Sequence, residues 1–404
     1  MTFPAPGRPA ENSAGFDRLV NAVAERVQQA VAEHGVLEPL TTATSSPAGA
    51  TTDAALAEDP VPAVEAVAPH LRELLAPGRA LLTGGKRLRA QLCGAGWLAA
   101  GGATSDPDGE LPEALVLAGS ALELFQATAL IHDDVIDGSL TRRGAPAAHQ
   151  SFATLHRNGG FLGNAASFGH AGAILLGDLL LAAASAEMRR AARAAGTMAG
   201  EAAHRIFDAM MIEVAFGQYL DVRAQEMPWQ QDSGSDAVER ALQVVRHKSA
   251  RYSVEHPLAL GAALAGGAPE LLTALRSVGL PLGEAFQLRD DELGVFGDPE
   301  VTGKPAGDDL REGKRTVLLT LTLQRVSETE RGLLQQRVGA PDLSLTEVEH
   351  MRDLMQRCGA VAEHERMIAA RQVQGLDALR RTELSPASRA HLTALAEALV
   401  RRAF

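Results

Sequence analysis

The sequence predicts an all-α protein, a large antiparallel helix bundle around a central cavity, and three observations carry that expectation. Its 404 residues are 46% hydrophobic, rich in Ala and Leu and short of Tyr and Trp, which is the composition of a helical globular protein. Apolar residues recur at helical spacing, with no switch to the two-residue alternation of strands and no Gly-rich strand-to-helix turn. Apolar segments of about 20 residues are broken at Pro77-Gly78, Gly101 to Pro112, Asn158 to Gly172, Met227 to Asp236 and Gly297 to Asp308, which suits roughly ten to twelve antiparallel helices.

In chain order, residues 1 to 15 are rich in Pro, Gly and Ala and read as disordered. Phe16, Leu19, Val20, Val23, Val27 and Val31 then recur as one face of an amphipathic helix able to dock on the main domain. Thr41 to Pro60, made largely of Thr, Ser, Ala and Gly, reads as a linker. The expected division is therefore an extension over 1–60 and one helical domain over 61–404. A net charge of −12 argues against nucleic acid. Basic residues nevertheless gather around 86 to 89, 142 to 143, 248 to 251, 304 and 311 to 315, which suits anionic substrates. Cys93 and Cys358 offer neither a disulfide framework nor metal-ligand spacing and read as buried thiols. With no signal peptide and no apolar run near ~18 residues, the expectation is a cytoplasmic protein without a transmembrane segment.

The chain is organised around the helix over 111 to 137, which ends in His132-Asp133-Asp134-Val135-Ile136-Asp137 and is followed by Arg142-Arg143. Asp133 and Asp137 stand one turn apart on one face, and two like charges there call for a cation. Mg²⁺ takes one or two carboxylates and leaves positions for water and phosphate, and arginines suit phosphate oxygens. A solvated acidic helix end would look the same if it stood alone. It does not stand alone, because Gln287-Leu288-Arg289-Asp290-Asp291 repeats the pattern at the end of a second apolar helix. Gly84-Gly85-Lys86-Arg87-Leu88-Arg89 opens a further helix, where free N–H groups favour an anion, with Lys86 and Arg89 on one face. Gln126 lies two turns before Asp133 on its face, and a buried carboxamide needs a partner. His132 is turned away from that face, which points to a structural role; His149 and His156 receive none.

Together these motifs resemble the trans-isoprenyl diphosphate synthases, the polyprenyl synthetase family, over roughly residues 60 to 402. The resemblance implies an isoprenoid synthase bundle and a prenyltransferase that condenses isopentenyl diphosphate with dimethylallyl, geranyl or farnesyl diphosphate. It also implies about three Mg²⁺ ions and a homodimer. By resemblance Asp133, Asp134, Asp137, Asp290 and Asp291 hold metal, with Asp290 the chief ligand at the second motif. Lys86, Arg89, Gln126 and Arg143 hold isopentenyl diphosphate. Arg142, Lys248 and Lys304 hold the allylic diphosphate, while Ser249, where the family usually has Thr, and Gln287 face the developing cation. Catalysis then falls to Asp133, Asp137, Arg142, Lys248, Ser249, Gln287, Asp290 and Lys304. Asp309 through Lys314 resembles a segment that closes the site. Gly294 departs from the pattern, standing where many members place a third Asp.

Product length follows from the helix before Asp133. Each turn is ~5.4 Å, comparable with one isoprene unit. Thr128 and Ala129 form a small first floor and Phe125 the next, which predicts geranylgeranyl diphosphate. The alternatives are a synthase of farnesyl or longer polyprenyl diphosphates, a class I terpene cyclase, and a non-catalytic partner subunit. The cyclase would replace the second Asp pair with an Asn/Ser/Glu triad, and the partner subunit would lose acidic residues from one motif.

Overall fold

A computed structural model describes residues 10–35, 64–83, 85–103, 110–229, 234, 236–298 and 307–400. The expected linker from Thr41 to Pro60, residues 1–9 and Lys304 lie outside them. Helix α4 (Glu113–Ile136) runs through the middle. It is apolar on every side rather than along one stripe, and such a helix is stable only when surrounded. Helices α1 (Ala10–Gly35), α2 (Val64–Leu82), α3 (Leu88–Ala99), α5 (Ala148–Asn158), α6 (Ala165–Ala195) and α9 (His256–Leu264) all pack against it. Around α7 (Thr197–Glu226) and α8 (Ala237–Val244) the bundle continues into a second axis, α10 (Pro269–Phe296). A π-helical segment, Val245–Glu255, lies between α7 and α10. Gly283 lets α10 approach closely there, since a Cβ at that position would strike the Ala250 backbone.

The chain ends in α11 (Asp308–Glu312), α12 (Val317–Arg325), α13 (Glu328–Arg337), α14 (Leu345–Arg357), α15 (Ala360–Arg381) and α16 (Pro386–Val400). Both α13 and α14 open on a Ser-x-x-Glu capping box, Ser327 with Glu330 and Ser344 with Glu347. Each box satisfies two helix-end donors reciprocally. Helix α15 packs along α10 and α16 caps both.

The all-α bundle is as expected, and its details differ in five places. The described chain holds more helices than ten to twelve, because Gly196 (φ 83°) divides α6 from α7 and short helices fill the C-terminal part. Pro77-Gly78 does not break the chain; α2 runs through Pro69 and Pro77, held by burial of Leu75 and Leu82 on either side. Helix α1 starts at Ala10, inside the stretch read as disordered, because the prolines that prompted that reading stop at Pro9. Its Leu19, Val23, Val27 and Val31 join the main core, and Arg26 pairs with fully buried Glu187 of α6 at 2.6 and 2.7 Å. Thr141–Arg142 (β1) and Ala145–Pro146 (β2) form a minimal hairpin that helical periodicity cannot signal.

The fifth correction concerns membranes. Helix α4 and residues 165–194 of α6 are long and apolar enough to cross one by length and composition. The bundle buries 72% of that window in α4, which marks a core helix, and 44% in α6.

Candidate active site

Helix α4 ends with Asp137 as its C-cap, the Asp137 amide donating to the Asp133 carbonyl at 2.8 Å. Asp133, one turn back, faces α7 and the π segment. Its Oδ1 accepts from Lys248 Nζ at 2.9 Å and Gln218 Nε2 at 3.1 Å, and Arg142 Nη2 lies 3.5 Å from Oδ2. Burial opposes ionisation of Asp133, but the charges of Lys248, Lys314 and Arg142 outweigh it and hold the carboxyl well below the usual range. Lys248 also pairs with Asp221 at 2.6 Å; against the cost of burial, Asp133 and Asp221 hold its ammonium above the usual lysine range. Asp137 differs. Its Oδ2 is 3.0 Å from Lys314 Nζ, yet burial, with Asp133 and Glu312 nearby, raises its carboxyl despite Lys314.

The second acidic end is built differently. Ser249 donates its hydroxyl to Gln287 Oε1, and Gln287 Nε2 donates to Asp291 Oδ1 at 2.7 Å. Burial, followed by the charge of Asp309, pushes the Asp291 carboxyl well above its ordinary value; Gln287 and Lys314 oppose this only in part. Asp290 beside it is half-buried. Behind the pair Arg289 bonds Glu292 at 2.7 Å and Glu365 at 2.6 and 2.7 Å, tying α10 to α15. Lys314, just after α11, ties α11 to the end of α4. Its Nζ is 2.7 Å from Glu312 Oε2, 3.0 Å from Asp137 Oδ2 and 3.9 Å from Asp309 Oδ1.

The π segment explains why Lys248, Ser249 and Tyr252 reach two different helices. Wide π turns recur at functional sites, and here Lys248 and Tyr252 meet α4 while Ser249 meets α10.

A basic cluster stands beside α4. Helix α3 opens at Leu88 rather than at Gly84, so Lys86 precedes it, exposed, and does not share a helical face with Arg89. Arg87 adopts a left-handed conformation (φ 45°), which turns it inward to bond the Leu82 carbonyl at 2.8 Å and approach Glu123 at 3.7 Å. Arg89 lies 4.1 Å over the Tyr252 ring and donates to Ser253 Oγ at 2.7 Å. Tyr252 in turn donates to Gln126 Oε1. Arg143 sits at the hairpin turn with φ 54°, followed by Gly144 with φ 74°, the signature of a primed turn. It bonds the Leu81 carbonyl at 2.9 Å. Burial, together with the neighbouring Arg87, Arg142 and Arg89, lowers the Arg143 guanidinium from its ordinary value, against the opposing charge of Glu123. Guanidiniums gathered this closely form a site for an anion.

Asp134, expected among the metal carboxylates, is fully buried, and its Oδ1 accepts from Arg142 Nε at 2.8 Å and also from Nη2. It orients Arg142 rather than facing the cleft. Thr128, expected in the floor, instead bonds the carbonyls of Leu124 and, across to α6, Gly177 at 3.2 Å each. Phe125 shares a helical face with Ala129 and Asp133 and meets Phe207 and Tyr252 edge-on at 6.2 and 5.4 Å. His132 packs over Gly177 and contacts the Ile174 carbonyl at 3.2 Å, consistent with a structural role. Sequence reasoning missed Gln218, Asp221, Tyr252 and Glu123. The only local signal for the first two was a pair of polar residues three apart on α7.

These donors fit Mg²⁺. The oxygen ligands are hard, Asp133 and Asp137 share a face, and burial, added to by neighbouring carboxylates, raises Asp137 and Asp291, a cost that a divalent cation relieves. Among the described residues no three carboxylates already converge on one point. That is compatible with Mg²⁺, which keeps much of its shell for water and phosphate.

The polyprenyl synthetase family model matches residues 72–355. The chain is 31% identical over 288 residues to a short chain isoprenyl diphosphate synthase of Methanothermobacter thermautotrophicus, covering 71% of this chain and 78% of that one. It is 31% identical over 320 residues to a geranylgeranyl diphosphate synthase of Mycobacterium tuberculosis, covering 79% and 80%. The geranylgeranyl pyrophosphate synthase of Corynebacterium glutamicum, solved with isoprenyl diphosphate and magnesium, superposes with a TM-score of 0.78 at 36% identity over 94% of this chain and 99% of that one. Matched over most of its length by the family model, and carrying both acidic helix ends, the protein belongs to the polyprenyl synthetase family.

Proposed function

We propose that the protein is a Mg²⁺-dependent trans-prenyltransferase that joins isopentenyl diphosphate head-to-tail to an allylic diphosphate. The observation that carries this reading is one lysine, Lys314, held between Asp137 at the end of α4 and Asp309 of α11, which is lodged against Gly294 of α10, beside a separate cluster of arginines. Two anion-binding regions suit two diphosphates. Bound Mg²⁺ supplies charge stabilisation to the leaving diphosphate. Asp133, Asp137 and Asp290 hold it, and Lys248 and Lys314 neutralise carboxylates until a diphosphate offers them a stronger partner.

The C1–O bond of the allylic substrate breaks with its electron pair on the diphosphate oxygen, where Arg142 and Lys248 face the growing charge. The double bond of isopentenyl diphosphate, held by Arg89, Arg143 and Gln126, then attacks C1. A proton leaves C2 to the departing diphosphate. Ser249 and Gln287 turn their oxygen dipoles towards the cation, and apolar helix walls keep water from quenching it. Neither His nor Cys is needed as a base. A class I cyclase, with one substrate, has no use for the second cluster.

Geranylgeranyl diphosphate is the proposed product, since Ala129 is small and Phe125, one turn deeper, offers a ring. A cytoplasmic homodimer is the proposed form. Ile174 and Leu175 on α6 and Ile212, Phe216 and Tyr219 on α7 are exposed apolar side chains of the kind a second copy covers. Incubation with Mg²⁺, isopentenyl diphosphate and each short allylic diphosphate, followed by chromatography of dephosphorylated products, tests the reading. A C20 alcohol formed only with Mg²⁺ is expected. No elongated product from any starter would overturn it.

A further inference from the structure

We infer that Asp309 supplies the second acidic end with the carboxylate that its own helix lacks, reaching across from α11 into the space left by Gly294. The inference rests on the metal and diphosphate reading above. Gly294 follows Asp290 by four residues, so a side chain there would stand on the Asp290 face, one turn on. That volume is already taken. A Cβ built on Gly294 would overlap the Cγ and both carboxylate oxygens of Asp309. The missing side chain is therefore a recess, and a carboxylate from another element fills it.

Asp309 is not there by accident of a loose loop. The next residue, Leu310, is buried, and its carbonyl accepts from the Gly339 amide at 2.8 Å. The Asp309 carbonyl accepts from the Lys314 amide at 3.0 Å, which fixes α11 and its lysine as one unit. Lys314 Nζ lies 3.9 Å from Asp309 Oδ1 and 3.0 Å from Asp137 Oδ2, so the same unit touches the first acidic end. Gly294 and Asp309 thus form a complementary pair: any side chain at 294 evicts the carboxylate, and loss of the carboxylate leaves the recess empty.

Mn²⁺ with inorganic diphosphate is the probe, with bound metal counted by electron paramagnetic resonance on the full chain without turnover. Asp309→Asn keeps the shape and should weaken Mn²⁺ binding by about tenfold or more, the range for groups that support metal ligands. Gly294→Asp should also weaken it, by crowding Asp309. The exchange Gly294→Asp/Asp309→Gly should recover most of the affinity that Asp309→Gly alone loses, with circular dichroism confirming the fold. Wild-type binding in Asp309→Asn, or an exchange variant no better than Asp309→Gly, overturns the inference. Asp133→Asn and Asp290→Asn in the same assay separate the two levels. If they lose metal and Asp309→Asn does not, only the role of Asp309 falls; if they too bind as wild type, the metal reading falls with it.

Discussion

The two acidic helix ends look alike in sequence and differ in electrostatic state. At the end of α4, Asp133 is ringed by Lys248, Arg142 and Gln218, and its carboxyl is held well below the usual range. At the end of α10, Asp291 meets burial and the charges of Asp309 and Asp290, and its carboxyl is pushed well above that range. Asp133 is held as an anion before metal arrives; Asp291, like Asp137 beside Asp133, becomes a settled anion only when a cation joins it. Geometry produces the difference. The first end takes its partners from a hairpin, α7, the π segment and Lys314, whereas the second is closed by α11, which brings another carboxylate, Asp309.

The largest effects should come from the carboxylates proposed to hold the metal. Asp133→Asn and Asp290→Asn should each lower kcat by about 10²-fold or more, the cost of removing a preorganised electrostatic stabiliser. Steady-state kinetics at saturating Mg²⁺ reads this directly, and near-normal turnover in either would dissolve the comparison.

Next in size is the separation of the two anion regions. Arg89→Ala, in the cluster with Tyr252 and Ser253, should raise KM for isopentenyl diphosphate more than KM for the allylic substrate. The reverse ratio would mean that the two diphosphates are exchanged.

A smaller effect sharpens the contrast itself, in metal-free protein with chelator at neutral pH. Asp133 has a folded value below its unfolded one of about 4, so its stabilisation is present above that pH and fades as pH falls through the lower folded value. Asp291 has a raised folded value, so its contribution is present below about 4 and is lost as pH rises through that folded value. Asp133→Asn should therefore lower Tm by a few degrees, and Asp291→Asn should raise it. The same sign for both variants would contradict the assignment of opposite states.

Smallest in rate, though visible in product, is chain length. Ala129→Phe should shorten the product and Phe125→Ala should lengthen it, read by chromatography; unchanged distributions in two active variants would remove this face of α4 from the account.

Much of the site was legible because its signals are local. Asp133 and Asp137 stand four apart at the end of an apolar run, and Gln287, Asp290 and Asp291 repeat the arrangement. The parts that were not legible depend on long-range contact. Asp221 and Gln218 are single polar residues on a long helix, and only folding brings Lys248 to them. Asp134 carries the same side chain as Asp133 beside it, and one step of helical rotation, about 100°, turns it into the core towards Arg142. Pro77 read as a break because local propensity ignores the buried leucines on both sides. The fit of Asp309 to Gly294 spans fifteen residues of sequence and has no local trace.

The central claim is that the ends of α4 and α10 make one site rather than two, and a double-mutant cycle tests it most directly. Residues that act as a unit lose most of their effect at the first removal. Turnover of Asp133→Asn/Asp290→Asn, measured beside both single variants, should therefore fall little below the worse of the two. A double variant whose loss equals the product of the single losses would show two independent sites and contradict the account.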